Sequence, residues 1–295
     1  MINTKISKQQ TYSNDIDMSD MYKLQDWINN HLLSLDHLSL NPNAIHLLEQ
    51  NLDKISWGWL SQNPNPNVIR LLQQNIDKIN WRYLSQNPNA IHLLEKNMNK
   101  ISWYYLSLNT NAIHLLEQNI DKINWEWLSE NSNAIHLLEQ NMNKIDWVYL
   151  SRNPNAIHLI EQNMDKIYWC NLSENPNAVH LLEQNIDKIN WVHLSRNPNA
   201  IHLLEKNIHR IDIDWNLLSL NPNAIHLLEQ NMDKIDWFYL SLNPNIFTYD
   251  YNKMKKNRAI SGLIEELIAK IFHPERLLRI CKKYNIMFDA LIEIY

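Results

Sequence analysis

From Leu38 onward the apolar and polar positions of the chain repeat. The string LSLNPNAIHLLEQNLDKISWGW opens at Leu38, and strings of the same form begin at Leu60, Leu84, Leu106, Leu128, Leu150, Leu172, Leu194 and Leu218. Nine units thus run over 38–239, seven of 22 residues and two of 24. The longer units carry an extra Asn-Pro near Asn65-Pro66 and an extra Ile-Asp near Ile211–Asp214, both in expected turns.

Within a unit, Asn41-Pro42 reads as an N-cap followed by proline at the first helical position, where the missing N–H has no helical partner to lose. Ala44, Ile45, Leu47 and Leu48 then share one face at spacings of three and four, with Asn43, His46, Glu49 and Gln50 on the other. Asn51 and its counterparts follow the last helical position, where asparagine tolerates the left-handed conformation that ends helices. A second cap recurs as Ser56, Asn80, Ser102, Asn124, Asp146, Asn190, Asp214 and Asp236, with Tyr168 departing. It precedes a Trp-x-x-Leu-Ser segment too short to be stable unless packed on neighbours.

Neither helix can bury its apolar side alone, so stacking of successive units must create the core. The predicted fold is all-α: an α-solenoid of nine repeats of about 22 residues, each helix, turn and shorter helix, the shorter one α or 3₁₀. The tryptophans at Trp57, Trp81, Trp103, Trp125, Trp147, Trp169, Trp191, Trp215 and Trp237 are expected to form its spine with Leu60, Leu48 and Ile55. Arrays need atypical ends to cover their last faces. Residues 1–20 are polar and expected to be mobile, and 21–37 reads as a degenerate N-terminal cap with Leu35 in the place of tryptophan. Residues 240–295 read as a partial tenth repeat and a helical C-terminal cap, with Leu263, Ile264, Leu267, Ile268 and Ile271 on one helix and another starting at Pro274.

Composition narrows the function classes. A net charge of −5 gives no global attraction to polyanions. The two cysteines, Cys170 and Cys281, lie apart in no metal-type spacing, which fits a reducing compartment and no disulfide. The first twenty residues lack the apolar core of a secretory signal, and no segment has eighteen uninterrupted apolar residues, so an intracellular protein that is not secreted and has no membrane partner is expected. With two glycines, Gly58 and Gly262, there is no phosphate-cradling loop.

The repeated residues offer tempting chemistry. His46, His92, His114, His136, His158, His180, His202 and His226 occupy one repeat position, with Arg70 replacing the ninth. Adjacent helices lie about 8–10 Å apart, whereas zinc-bound nitrogens sit at about 2.0–2.1 Å from the ion, so neighbouring histidines do not share a metal. A solvated ladder is expected instead. Ser39, His46 and Glu49 have the residue types of a hydrolytic triad, but catalysis needs one preorganised, desolvated constellation, not copies throughout an array. No catalytic, cofactor or metal residue is assigned, and no enzyme activity is expected. Lys54 and its counterparts form a ladder that resembles a base-reading array, but Asp53, Glu49 and their counterparts roughly cancel it, which disfavours nucleic acid.

Recognition is expected at positions that differ from unit to unit. One set follows the tryptophan: Gly58-Trp59, Arg82-Tyr83, Tyr104-Tyr105, Glu126-Trp127 and onward. The other follows Leu-Ser: Gln62, Gln86, Leu108, Glu130, Arg152, Glu174, Arg196 and onward. Both belong to the shorter helix and are expected on one side of the superhelix. Trp59, Arg82, Tyr83, Tyr104, Tyr105, Glu126, Trp127, Arg152 and Arg196 are the candidate partner-binding residues, with the aromatic and arginine character of interface anchors. The tyrosines at 83, 105, 149 and 239 have packing against the next unit as their alternative role. A protein scaffold or adaptor is therefore the expected function, with a nucleic-acid array or a self-associating structural component as alternatives.

The strings NPNAIHLLEQNIDKINW and FTYDYNKMKKNR with EELIAKIFHPERLLRICKKYN resemble a family of repeat proteins encoded by giant DNA viruses of the mimivirus type, over about 38–295. That resemblance implies a viral origin, a host or viral protein as partner, and a place in host cytoplasm or virion. By unit length and its LSxNPN string the repeat also resembles leucine-rich variant repeats, which implies a 3₁₀ Trp-x-x-Leu segment.

Overall fold

The computed structural model describes residues 22–210 and 212–260. The expected mobile segment 1–20 and the helices expected at Leu263 and Pro274 lie outside them. Two compact units are present: the repeats, Leu24–Thr248, and a smaller one holding the described residues 22–23 and 249–260. In the smaller unit Tyr22 stacks on Tyr249 at 4.9 Å, and Asp250 Oδ1 accepts from the N–H of Lys253 at the start of the helix Tyr251–Ile260.

The repeats are built from two kinds of short α-helix. One begins at the tryptophan, as in Trp57–Gln62 and Trp125–Glu130; the other carries the histidine, as in Ile113–Glu117 and Ile135–Gln140. The Trp helices are α, so the 3₁₀ geometry implied by leucine-rich variant repeats does not hold there; 3₁₀ turns occur instead at segments such as Ile76–Lys78 and Pro88–Ala90. Most of the expected caps of the Trp helix form, Asn80 Oδ1 accepting from the N–H of Tyr83 and Asp146 Oδ1 from those of Val148 and Tyr149, whereas the Ser102 side chain makes no such bond. The His helix starts later than expected. Asn41 Oδ1 does accept from the N–H of Asn43, yet the α-helix opens only at Ile45. The left-handed turn expected after it is absent too: Asn97 has φ −135° and ψ 45°, and its Nδ2 donates to the carbonyl of Leu93 at 2.9 Å.

The core lies between the two helix layers, with Leu48, Leu60 and their counterparts fully buried and Ile55 nearly so. The tryptophans lie at its margin rather than along its centre; Trp191 is buried and the others are half-buried. From Trp57 to Trp215 each is covered by a cation from the next unit, Lys78 Nζ standing 4.6 Å from the Trp57 ring centroid and Lys144 Nζ 4.4 Å from that of Trp125. This accounts for the lysine ladder in terms of stacking geometry.

Units are also joined by polar groups in the interior. Ten serines and ten asparagines, beginning with Ser39 and Asn41 and ending with Ser241 and Asn243, are buried. Asn131 is representative: its Nδ2 donates to the carbonyls of Ser107 at 2.9 Å and Asn109 at 3.1 Å in the preceding unit, while its Oδ1 accepts from the N–H of Asn133. Asn133 Nδ2 reaches back to the carbonyl of Thr110. The serine hydroxyl donates within its own helix, Ser129 to Trp125, and accepts the N–H of the next cap, that of Asp146. Every amide and hydroxyl so placed has its partners, which burial requires.

The same bonds close the array. Asn41 Nδ2 donates to the carbonyls of Ser241 and Asn243, both at 2.9 Å, Asn43 Nδ2 to that of Pro244, and the Ser34 N–H to Ser241 Oγ. The helix Leu35–Leu38 packs on Trp237–Leu242 as Trp57–Gln62 packs on Trp81–Leu84 and Trp215–Leu220 on Trp237–Leu242. The repeats therefore form a ring of ten units, the tenth split between 24–37 and 240–248. In place of the degenerate cap expected at 21–37, the described residues 24–37 supply half of a tenth unit, so that within the ring each end covers the other; the helices expected to cap the C-terminal end lie outside the described residues.

Candidate functional site: the inner wall of the ring

In the Trp helix, the leucine and serine point to the core. A helical period of 3.6 then sets the second, third and sixth positions on the opposite side. The third-position rings of neighbouring units touch: Tyr83 and Tyr105 have centroids 5.8 Å apart, Tyr105 and Trp127 5.9 Å, Trp127 and Tyr149 6.0 Å. Packed helix axes stay about 8–10 Å apart, so these side chains converge as they leave the backbone. Convergence identifies the concave side of a closed curve, and the variable positions therefore line the bore. In the other layer the gap is spanned by long side chains, His114 Nε2 reaching Glu95 Oε1 at 3.0 Å and His158 reaching Glu139 at 2.9 Å.

Two estimates give the size of the opening. Ten helix axes spaced by about 8–10 Å lie on a circle roughly 26–32 Å across, and a helix thickness of about 10–12 Å leaves a bore of about 15–20 Å. Ring centroids spaced as observed, continued around a regular ten-sided figure, stand about 19 Å apart across it.

The candidate residues fall mainly into two arcs. Tyr83, Tyr105 and Trp127 belong to the stacked aromatic arc, with Arg82 Cζ 4.8 Å from the Tyr105 centroid and Tyr104 against both Tyr105 and Trp127. Packing between units, the alternative role of the tyrosines, is thus part of the geometry, while Trp59, Tyr104, Arg82 and Glu126 remain exposed. Arg152 and Arg196 belong to an alternating charged arc. Arg152 Nε lies 2.9 Å from Glu174 Oε2 and Arg152 Nη1 3.6 Å from Glu130 Oε2; Arg196 and His193 meet the same Glu174, whose side chain is 7% exposed. Burial holds the Glu130 carboxyl above its ordinary range, against the opposing pull of Arg152.

The sequence reading did not single out one further arc. Leu217, Leu220, Leu242 and Leu40 are half-buried there, Tyr239 is exposed, and Phe238 is 60% exposed and meets His37 across the ring seam at 5.2 Å. Its signal was present in the list of variable positions, but only closure brings its two ends together.

Of the residues with catalytic character, Ser39 is engaged in packing between units. Ser39 Oγ donates to the carbonyl of Leu35 and accepts the N–H of Ser56. Among the described residues no three of His, Cys, Asp or Glu converge as metal ligands. On the outside, a crevice of about 510 Å³ lies beside the two-residue insertion, lined by Glu205, His209, His226 and Lys234 among others. No helix among the described residues is long and apolar enough to cross a membrane. Comparison with protein-family models, curated proteins and solved structures finds no match to this chain.

Proposed function

We propose that the chain is a non-enzymatic scaffold or adaptor that holds a protein partner on the inner wall of the ring. One observation carries this reading: in an array whose other positions are nearly identical, those that vary between units gather on one concave surface and include aromatic and arginine side chains. The wall is nearly neutral. Asp36, Glu126, Glu130 and Glu174 stand against Arg82, Arg152 and Arg196, whereas tracking a phosphate backbone calls for a surplus of positive charge. The likeness of the repeats to giant-virus proteins supports host cytoplasm or virion as the place where it acts.

Alanine at Arg82, Tyr104 and Glu126 together tests the reading. Capture of the partner from infected cells should be abolished with the melting temperature nearly unchanged, because these side chains are exposed. Capture that survives refutes it, and so does loss of the fold, which would assign the three residues to packing. Capture of nucleic acid that weakens steeply with salt would replace it with the nucleic-acid reading.

A further inference from the structure

The bore is two-sided. Leu217, Leu220, Phe238, Tyr239, Leu242 and Leu40 make one arc largely apolar, with Asn216, Asp36 and His37 among them. Further around the wall, and adjoining this arc at Arg196, Glu130, Arg152, Glu174, His193 and Arg196 make an arc in which positive and negative groups alternate and meet one another. From this we infer that the occupant of the bore is an amphipathic α-helix of the partner, its apolar stripe on the leucine arc and its polar face on the charged arc, an inference that rests on the protein-binding reading above.

Three arguments select this occupant. The first is thickness: an α-helix with its side chains is about 10–12 Å across, and the bore is about 15–20 Å. The second is polarity: a helix with apolar residues at three- and four-residue spacing is apolar along one side, and the wall is mainly apolar or aromatic from Leu217 past Trp59 to Trp127 and mainly charged from Glu130 to Arg196. The third is charge. The charged arc holds Glu126, Glu130 and Glu174 against Arg152 and Arg196, which suits a polar face that is close to neutral or slightly basic.

The other polymers fit less well. An extended peptide needs an unpaired strand edge for its backbone, and the wall among the described residues is made of α-helices. Single-stranded nucleic acid would find aromatic faces here but needs a positive groove to follow its phosphates.

The test uses the full chain and two fluorescent peptides of about 18 residues with one composition of Leu, Lys and Glu, one arranged with a helical apolar stripe and one scrambled. Fluorescence anisotropy should show the striped peptide binding at least about tenfold more tightly than the scrambled one. Phe238→Asp, at an exposed position on the leucine arc, should weaken it by about tenfold or more, whereas Ile120→Asp, at an exposed position in the turn between the two helices, should leave it unchanged. Both variants should melt with the parent, and Leu217→Asp provides a second disruption of the same arc.

Equal binding of the two peptides, no binding of either, or a loss that follows Ile120→Asp instead of Phe238→Asp overturns the inference. Tighter binding of an oligothymidine of about 30 nucleotides also overturns it, in favour of nucleic acid. Photocrosslinking side chains at 238 and 120, used in infected cells, separate this inference from the reading beneath it. A protein crosslinked only from 120 sinks the bore as the docking site and leaves a scaffold; none from either position sinks the scaffold.

Discussion

If the repeats form a closed ring, a residue near the start of the array should matter as much as one in its middle. Asn41 and Asn131 make the comparison. Each donates from Nδ2 to two buried carbonyls of a neighbouring unit, Asn41 to those of Ser241 and Asn243 and Asn131 to those of Ser107 and Asn109. Each also accepts an N–H within its own turn. A net hydrogen bond contributes about 1 kcal/mol, and a buried carbonyl left without a donor costs roughly 1–3 kcal/mol. Because the carbonyls of Asn109 and Asn243 retain a second donor in Ala112 and Ile246, the lower half of that range applies to them. Alanine at either position should therefore cost about 3–5 kcal/mol. In an open array Asn41 would lose only its local bond, about 1 kcal/mol. Equilibrium unfolding in urea, read as midpoint and slope together, measures both. Near-equal losses are expected. A loss of several kcal/mol for Asn131→Ala beside about 1 kcal/mol or less for Asn41→Ala would refute closure.

Two further outcomes follow from the side chains between units. Lys144→Ala should lower stability by about 0.5–1 kcal/mol, through loss of the ammonium and its stem over the Trp125 ring, with Lys144→Arg largely restoring it; urea unfolding that shows no change would mean that the contact is only incidental. Glu130 should make stability depend on pH. Burial raises its folded-state value above the unfolded one, so the folded protein binds the proton more readily, and this contribution favours folding as pH falls through that raised value and is lost as pH rises above it. Glu130→Gln should therefore raise the melting temperature at pH 7, with the difference shrinking as the buffer is acidified. A constant difference, or a fall at pH 7, would show that Arg152 outweighs desolvation there.

Much of this fold was legible in the sequence because one unit is printed nine times, so the period, both helices and the leucine core could be read from any copy. The asparagine and serine ladders were not read, for a physical reason. Asn41 was assigned as a local cap, and a cap explains only its acceptor. Its donors point to another unit, which no single copy displays. A signal was nevertheless available: caps accept Ser, Thr, Asp or Asn, as the cap of the Trp helix does in changing among Ser56, Asn80, Asp146 and even Tyr168. The Asn41 position remains asparagine in all ten copies, while the residue after it changes to Thr110 and Ser132. Strict asparagine indicates a need for donor and acceptor together. Closure had a signal too, because LSLNPN at Leu240 lacks the rest of a unit and 21–37 lacks that very beginning. The candidate contact residues were found as variable positions, but which of them face one another across the bore depends on a turn per unit that sequence does not encode locally.

That turn must be nearly equal at every step, since ten of them complete a circle and a small bias at one step would part the seam. The ladders supply the equality. The two units with extra residues show how strictly it is kept: Asn87 and Asn221 reach carbonyls 26 and 24 residues back, those of Ser61 and Asn63 and of Ser195 and Asn197, where other units reach 24 and 22. The extra Asn65-Pro66 is absorbed in the loop before the helix Asn67–Gln74, and in both units the buried bonds keep their lengths of 2.8–3.1 Å. Backbone carbonyls of neighbouring units are thus held to one side-chain amide, and the geometry of that amide, repeated around the ring, sets the curvature. Asn171 apart, whose Nδ2 donates to the carbonyl of Val148, the wall residues take no part in these ladders. They are free to differ, and the split of the bore into a leucine arc and a charged arc is where that freedom has been used.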